Sequence, residues 1–220
     1  MSFEPIAPTT DAPFQFADHI DHVFYINLEK RTDRRAELEN ELNAYGVSNY
    51  ERFPAIEHTS GTVGCGYSHL AVLELAKERG YKNVLILEDD FTFALSCADF
   101  QRQITAFFEY DMPYDVLMIS YMKHSITKKE KTSYPGISRL LEARNASGYL
   151  VNSHYYQKLI DLYTESIPIL EATNYHWIYA NDQAWKEFQK VDNWFYFKRR
   201  IGMQKAGFSD IAQSFVNYDL

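Results

Sequence analysis

Apolar residues fall in a few continuous runs separated by helical-period segments, and this pattern fixes most of the expected elements. His22 to Leu28 is β-rich and apolar without alternation, which predicts a strand buried on both faces. Ala36, Leu38, Leu42 and Tyr45 follow at roughly helical spacing, with Thr32 as the expected N-cap and Gly46 as the stop. Tyr50 to Ile56 reads as a short strand that Pro54 pushes toward an edge or strand end. A Gly-rich turn over Gly61 to Gly66 is expected next, then a helix from about Ser68 to Arg79 ended by Gly80. Asn83 to Leu87 is the clearest buried strand and runs directly into Glu88, Asp89 and Asp90. A helix from about Asp99 to Tyr110 and a strand over Tyr114 to Ser120 complete an alternation of strand and helix. That alternation is the signature of an open α/β sheet, which binds ligands at strand C-termini.

The second half is less regular. Lys123 to Tyr134 is polar and basic and reads as a mobile loop. A strand over Ser147 to Val151, helices over Ser153 to Tyr163 and Asp182 to Gln189, and an aromatic strand over Trp194 to Phe197 are expected. Residues 1–17, with Pro5, Pro8 and Pro13, read as a flexible leader, and 18–220 as one domain.

Composition narrows the function classes. The chain has 220 residues, enough for a sizeable core, and aromatics at 16% exclude disorder as the main state. The formal net charge of −8 argues against nucleic-acid binding by bulk charge, while leaving room for local phosphate recognition through placed Arg residues or a cation. Cys65 and Cys97 form no CxxC pair and read as small core residues in a reducing compartment. No run approaches the ~18–20 apolar residues of a membrane span, and the acidic, Pro-rich start is no signal peptide, so a cytoplasmic location is expected.

Four segments carry candidate chemistry. Glu88, Asp89 and Asp90 at a strand end repel one another unless solvated or neutralised, and a divalent cation with hard oxygen ligands is one neutraliser. A solvated acidic turn is the other reading. Leu28 to Arg35 follows the first strand and opens a helix, which suits an anionic phosphate, or equally a surface network of Asp33 and Glu37 with arginines. Gly64 to His69 offers two glycines for close backbone approach, or a helix capped by Ser68. Asp182 is either a helix N-cap or a positioned general base. The sequence has no GxGxxG, Walker A or HExxH motif.

Taken in order, Val23 to Arg34, Gly64 to Leu70, Leu85 to Phe91, Gly148 to Asn152 and Gln204 to Ile211 resemble the family-25 glycosyltransferases, which include lipooligosaccharide and procollagen galactosyltransferases. The resemblance covers most of the chain from about Asp21. It implies a GT-A fold, a Rossmann-like single domain with a mostly parallel central sheet. It also implies inverting transfer from a UDP-sugar, often UDP-galactose, to a glycan or other hydroxyl acceptor with Mn²⁺ or Mg²⁺. By the same resemblance Asp90 and Glu88 would hold the metal. Asn27, Leu28, Arg31, Arg34, Ala55, Glu57, Ser68, His69, Glu88 and Asp89 would bind the donor. Asp182 would be the catalytic base, and Tyr155, Tyr156, Tyr175, Trp177, Tyr179 and Trp185 an acceptor wall, although most of these aromatics could equally be core. The alternative is a non-catalytic nucleotide-sugar or glycan-binding module on the same fold.

Overall fold

A computed structural model describes residues 15–217. The expected leader lies mostly outside them. Its last residues are not free of the domain, because Phe16 is 2% exposed and packs on Phe100.

Among the described residues, twelve strands and seven α-helices follow in chain order. The first half holds β1 (His22–Asn27), α1 (Thr32–Ala44), β2 (Tyr50–Pro54), α2 (Gly61–Glu78), β3 (Asn83–Glu88), β4 (Phe91–Phe93), α3 (Cys97–Glu109) and β5 (Val116–Met118). Then come β6 (Lys128–Lys131), β7 (Ile137–Glu142), β8 (Gly148–Asn152), α4 (Tyr156–Thr173), α5 (His176–Tyr179), α6 (Asn181–Ala184) and α7 (Lys186–Val191). The chain closes with β9 (Trp194–Phe197), β10 (Gly202–Gln204), β11 (Gly207–Ser209) and β12 (Ser214–Val216).

The central sheet has eight strands in the order β2-β1-β3-β8-β5-β9-β7-β6. β2, β1 and β3 are parallel, and β5 is parallel to β9, whereas β8 and β7 run against their neighbours. Alternate residues of each central strand enter different cores. Phe24, Ile86, Tyr149, Val151 and Trp194 pack with α2 and α4 on one face. Val23, Tyr25, Leu85, Leu150 and Phe195 pack with α1 and α3 on the other. Burial on both faces explains why these strands read as unbroken apolar runs.

Several boundaries differ from the sequence reading, each for a packing reason. Thr32 is the first helical residue of α1, and Arg31 takes the N-cap position without a side-chain cap bond. α2 begins at Gly61, so the expected Gly-rich turn is its first two turns. The glycines serve close approach: a Cβ on Gly64 would lie 2.5 Å from the Ile56 carbonyl oxygen, and one on Gly66 would lie 3.1 Å from Ile167. Ser68 is therefore inside the helix, and its hydroxyl donates to the Gly64 carbonyl at 2.7 Å. The expected mobile loop contains β6, an exposed Lys-rich edge strand paired with β7. α4 runs past Pro168 because Ile167 and Leu170 on either side are fully buried. The helix expected over Asp182 to Gln189 splits at Trp185, whose ring turns inward against Tyr149 and Trp194. Among the described residues no helix is long and apolar enough to cross a membrane.

Candidate functional site

The parallel trio β2-β1-β3 brings three C-terminal ends together, and the chemistry-bearing segments leave from those ends. β1 delivers Asn27 and the turn into α1. β2 delivers Ala55, whose N–H donates to the Asn27 carbonyl at 3.0 Å. β3 delivers Glu88, Asp89 and Asp90. A cavity of about 280 Å³ opens at this edge.

Leu28, Arg34, Ala55, Glu57, Ser68, His69, Glu88, Asp89 and Asp90 line that cavity, so nine of the residues singled out from the sequence meet in one place. Arg31 lines a smaller adjoining cavity with Arg34, Asp89 and Asp90. Asn27 is not a lining residue. It is 1% exposed, donates to Asp89 Oδ2 at 2.8 Å, and accepts from Arg52 Nε at 2.9 Å. Its task is to fix Asp89.

The acidic triplet is neutralised in part by the protein. Arg34 Nη1 donates to Asp89 Oδ1 at 2.8 Å and to Asp90 Oδ2 at 3.1 Å, and Arg34 Nη2 donates to the Phe208 carbonyl at 2.7 Å. Asp90 Oδ2 also accepts from Gln204 Nε2 at 3.1 Å. Asp90 Oδ1 is buried and has no hydrogen-bond partner. Burial pushes the Asp90 carboxyl above its usual range, the Glu88 charge adds to this, and Arg34 opposes both. Asp89 is raised too, by burial, with Arg34 and Asn27 pulling it back. A buried carboxylate oxygen without a partner is costly unless a cation or proton meets it. The unpartnered Asp90 oxygen is a hard donor of the kind that suits Mn²⁺ or Mg²⁺, whereas both Asp89 oxygens are already engaged by Asn27 and Arg34.

The closing segment covers the site from the other side. Lys205 N donates to the Asp90 carbonyl at 2.7 Å, and Arg31 Nη1 donates to Asp210 Oδ2 at 2.7 Å. Lys30 reaches Asp210 Oδ1 at 3.3 Å. Ser209, Asp210, Ile211 and Gln213 line the cavity with Gln204. The two arginines expected to meet phosphate are therefore engaged by carboxylates and by this segment.

Asp182 lies outside the cavity lining. Its Oδ2 accepts the Asn145 N–H at 2.9 Å, which holds Asn145 at a φ of 99°, and its Oδ1 accepts from Gln183 at 3.3 Å. It does not cap α6, whose N-cap is Ala180. Burial pushes its carboxyl up, offset in part by the Asn145 N–H. The acceptor wall divides: Tyr155, Tyr156 and Trp185 are core residues, whereas Tyr175 and Trp177 are 49% and 58% exposed.

Among the lining residues to which the sequence reading gave no site role are His58 and Cys65. His58 accepts from Ser60 N at 3.0 Å and faces Glu171 at 3.3 Å, and nothing in the sequence tied it to the site. Cys65, expected as a core residue, lines the cavity. Its signal was the four-residue spacing to His69, which puts both on one helix face. Burial, then the Glu88 charge, pushes its thiol well up.

The model for glycosyltransferase family 25 (LPS biosynthesis protein) matches residues 57–176. A glycosyltransferase 25 family member of Drosophila pseudoobscura pseudoobscura is 28% identical over 144 residues, covering 51% of this chain and 22% of that protein. Procollagen galactosyltransferase 1 of Danio rerio is 25% identical over 174 residues, covering 64% and 28%. The chain thus spans under a third of the length of these curated relatives. Among solved structures, a glycosyltransferase involved in the glycosylation of the major capsid of PBCV-1 superposes with a TM-score of 0.51 at 11% identity, covering 83% of this chain and 92% of that one. This likeness supports the GT-A fold. With more than half of its residues inside the family match, and the acidic triplet among them, the chain belongs to glycosyltransferase family 25.

Proposed function

We propose that this chain is a catalytic glycosyltransferase domain that moves a hexose, galactose by analogy with its relatives, from a UDP-sugar to a hydroxyl acceptor such as a glycan, with inversion. The observation that carries the reading is the buried, unpartnered Oδ1 of Asp90 at the C-terminal end of β3, inside a cavity rimmed by Arg34. Asp90 and Glu88 would hold Mn²⁺ or Mg²⁺, which when bound offsets charge on the departing diphosphate. Arg34 sits beside the same carboxylates and offers positive charge to the diphosphate. Asp89, fixed by Asn27 and Arg34, would meet donor hydroxyls. Ser68, expected to bind donor, spends its hydroxyl on the Ile56 N–H at 2.8 Å and the Gly64 carbonyl, so it shapes the wall. We assign the removal of the acceptor proton to Asp182, whose raised affinity for a proton suits a base.

A non-catalytic binding module remains the second reading, favoured by the position of Asp182 outside the cavity lining. Release of UDP from UDP-galactose, with and without Mn²⁺, separates the two: turnover supports the enzyme, and binding without turnover supports the module. Asp90→Ala should abolish Mn²⁺-dependent UDP binding with the fold intact by circular dichroism. Wild-type UDP affinity in that variant would remove Asp90 from the donor site.

A further inference from the structure

Cys65, His69 and Glu88 come together in the cavity wall, and the proposed function gives the sulfur and the imidazole no task. We propose that these three side chains form a second cation site, which shares Glu88 with the donor-site carboxylates and is built for a borderline-soft ion of the Zn²⁺ class. It is independent of whether the domain transfers a sugar.

The separations suit three ligands of one ion. Cys65 and His69 lie one turn apart on α2, and Glu88 ends β3. His69 Nε2 is 3.2 Å from Glu88 Oε1, Cys65 Sγ is 3.6 Å from the same oxygen, and all three ligand atoms lie within 4.8 Å of one another. Zinc bonds of about 2.0–2.3 Å at tetrahedral angles place nitrogen, oxygen and sulfur donors about 3.3–3.6 Å apart. Two of the three separations therefore fall at or near that range already. Thiolate and imidazole ligands select Zn²⁺ over Mg²⁺ or Mn²⁺, which prefer oxygen.

The surroundings orient the ligands. His69 is fully buried, and its Nδ1 lies 2.8 Å from the Tyr149 hydroxyl, which leaves Nε2 aimed at Glu88. Such a partner on the second ring nitrogen is the usual support of a metal-bound histidine. Asn181 Nδ2 donates to Cys65 Sγ at 3.9 Å, a contact that favours the anionic sulfur. Gly64 and Gly66 on either side of Cys65 press α2 against Ile56 and Ile167, which fixes the height of the sulfur. On binding, the Cys65 S–H bond breaks, its proton goes to solvent, and a dication is balanced by one thiolate and one carboxylate. All three residues line the cavity, so the fourth coordination position opens onto it. Asp89 and Asp90 beside Arg34 offer oxygen donors only, and Glu88 is the one ligand that the two sets share.

The chain has two cysteines, so Cys97→Ser leaves Cys65 as the single thiol. Chelator-stripped full-length Cys97→Ser protein is titrated with Co²⁺. One equivalent is expected to bind with a thiolate-to-cobalt charge-transfer band and the strong visible absorption of four-coordinate cobalt. Zn²⁺ should displace it and Mg²⁺ should not. Tyr149→Phe should weaken Co²⁺ binding about 10–100-fold. His69→Gln should weaken it at least as much. No charge-transfer band in Cys97→Ser, or a band indifferent to His69→Gln, overturns the proposal. Neither result touches the Asp90→Ala test of the donor site, so the two readings fail separately.

Discussion

Asp90 and Asp182 are both carboxylates raised by burial, and their partners give them different work. Asp90 keeps one oxygen without a partner, whereas both oxygens of Asp182 accept hydrogen bonds. Because the folded protein holds the Asp182 carboxyl above its ordinary 3.8, its ionised form is disfavoured in the fold. Stability contributed by this residue is thus lost, not gained, as pH rises through the folded value. Asp182→Asn keeps an oxygen for the Asn145 N–H and removes that cost. The melting temperature at pH 7 should hold or rise, while kcat falls by a factor of ~10²–10⁴ if Asp182 is the base. A variant with near-normal kcat rejects the assignment. A lower melting temperature with parallel loss of activity makes Asp182 a strut for the Asn145 turn.

At the scale of elements, the entry into α2 and the closing hairpin decide the shape of the cavity. Gly64→Ala would put a methyl group 2.5 Å from the Ile56 carbonyl, a backbone atom that cannot rotate away. The variant should lose about 1–3 kcal/mol, read by denaturant unfolding, and donor affinity should fall because Ala55, Ile56 and Glu57 must move. Unchanged stability would mean the segment after β2 yields freely. The β11–β12 hairpin is tied down by Asp210 to Arg31 and Lys30. Burial works against the Asp210 charge, but Arg31 and Lys30 prevail and hold its carboxyl below 3.8. Its stabilising contribution is therefore present above that value and lost as pH falls through the lower folded one. Asp210→Asn should remove it at neutral pH. Amide hydrogen exchange in residues 207–216 should then speed up, with β1 and β3 unaffected. Unaltered exchange in the hairpin would assign its docking to other contacts, such as Phe208 with Arg34.

For the whole molecule, the cavity is assembled from segments 26–34, 55–69, 88–90 and 204–213. A ligand that bridges them stabilises the fold by mass action, about 2.7 kcal/mol at a hundredfold excess over Kd. For a domain of this size that corresponds to a rise in melting temperature of about 5–11 °C. UDP-galactose with Mn²⁺ should produce it, UDP alone should give a smaller rise, and ATP should give none. An equal response to every nucleotide would remove the uridine and sugar from the reading. The net charge of −8 makes a nonspecific phosphate response improbable on electrostatic grounds, so a selective shift reports the site itself.

The alternation of buried strands and helices, the placing of Glu88, Asp89 and Asp90 at a strand end, and the family likeness were all legible in the sequence. Each depends on local order along the chain: apolar runs, helical spacing and motif sequence carry over directly into elements. Other features were decided by tertiary structure. Gly64 and Gly66 look like turn residues until Ile56 and Ile167 show that they are contact points inside a helix. The sequence marks Arg34 for phosphate, but only the fold shows that it also lies across Asp89 and Asp90. Asn27 turns out to be a buried brace, and Cys65 a cavity residue facing Glu88. The roles of Arg34, Asn27 and Cys65 arise from pairs 23 to 62 residues apart, brought together by the parallel sheet and the elements packed on it. A single residue's type and near neighbours carry no record of a partner at that distance, because the partner's position is fixed by the packing of the whole sheet.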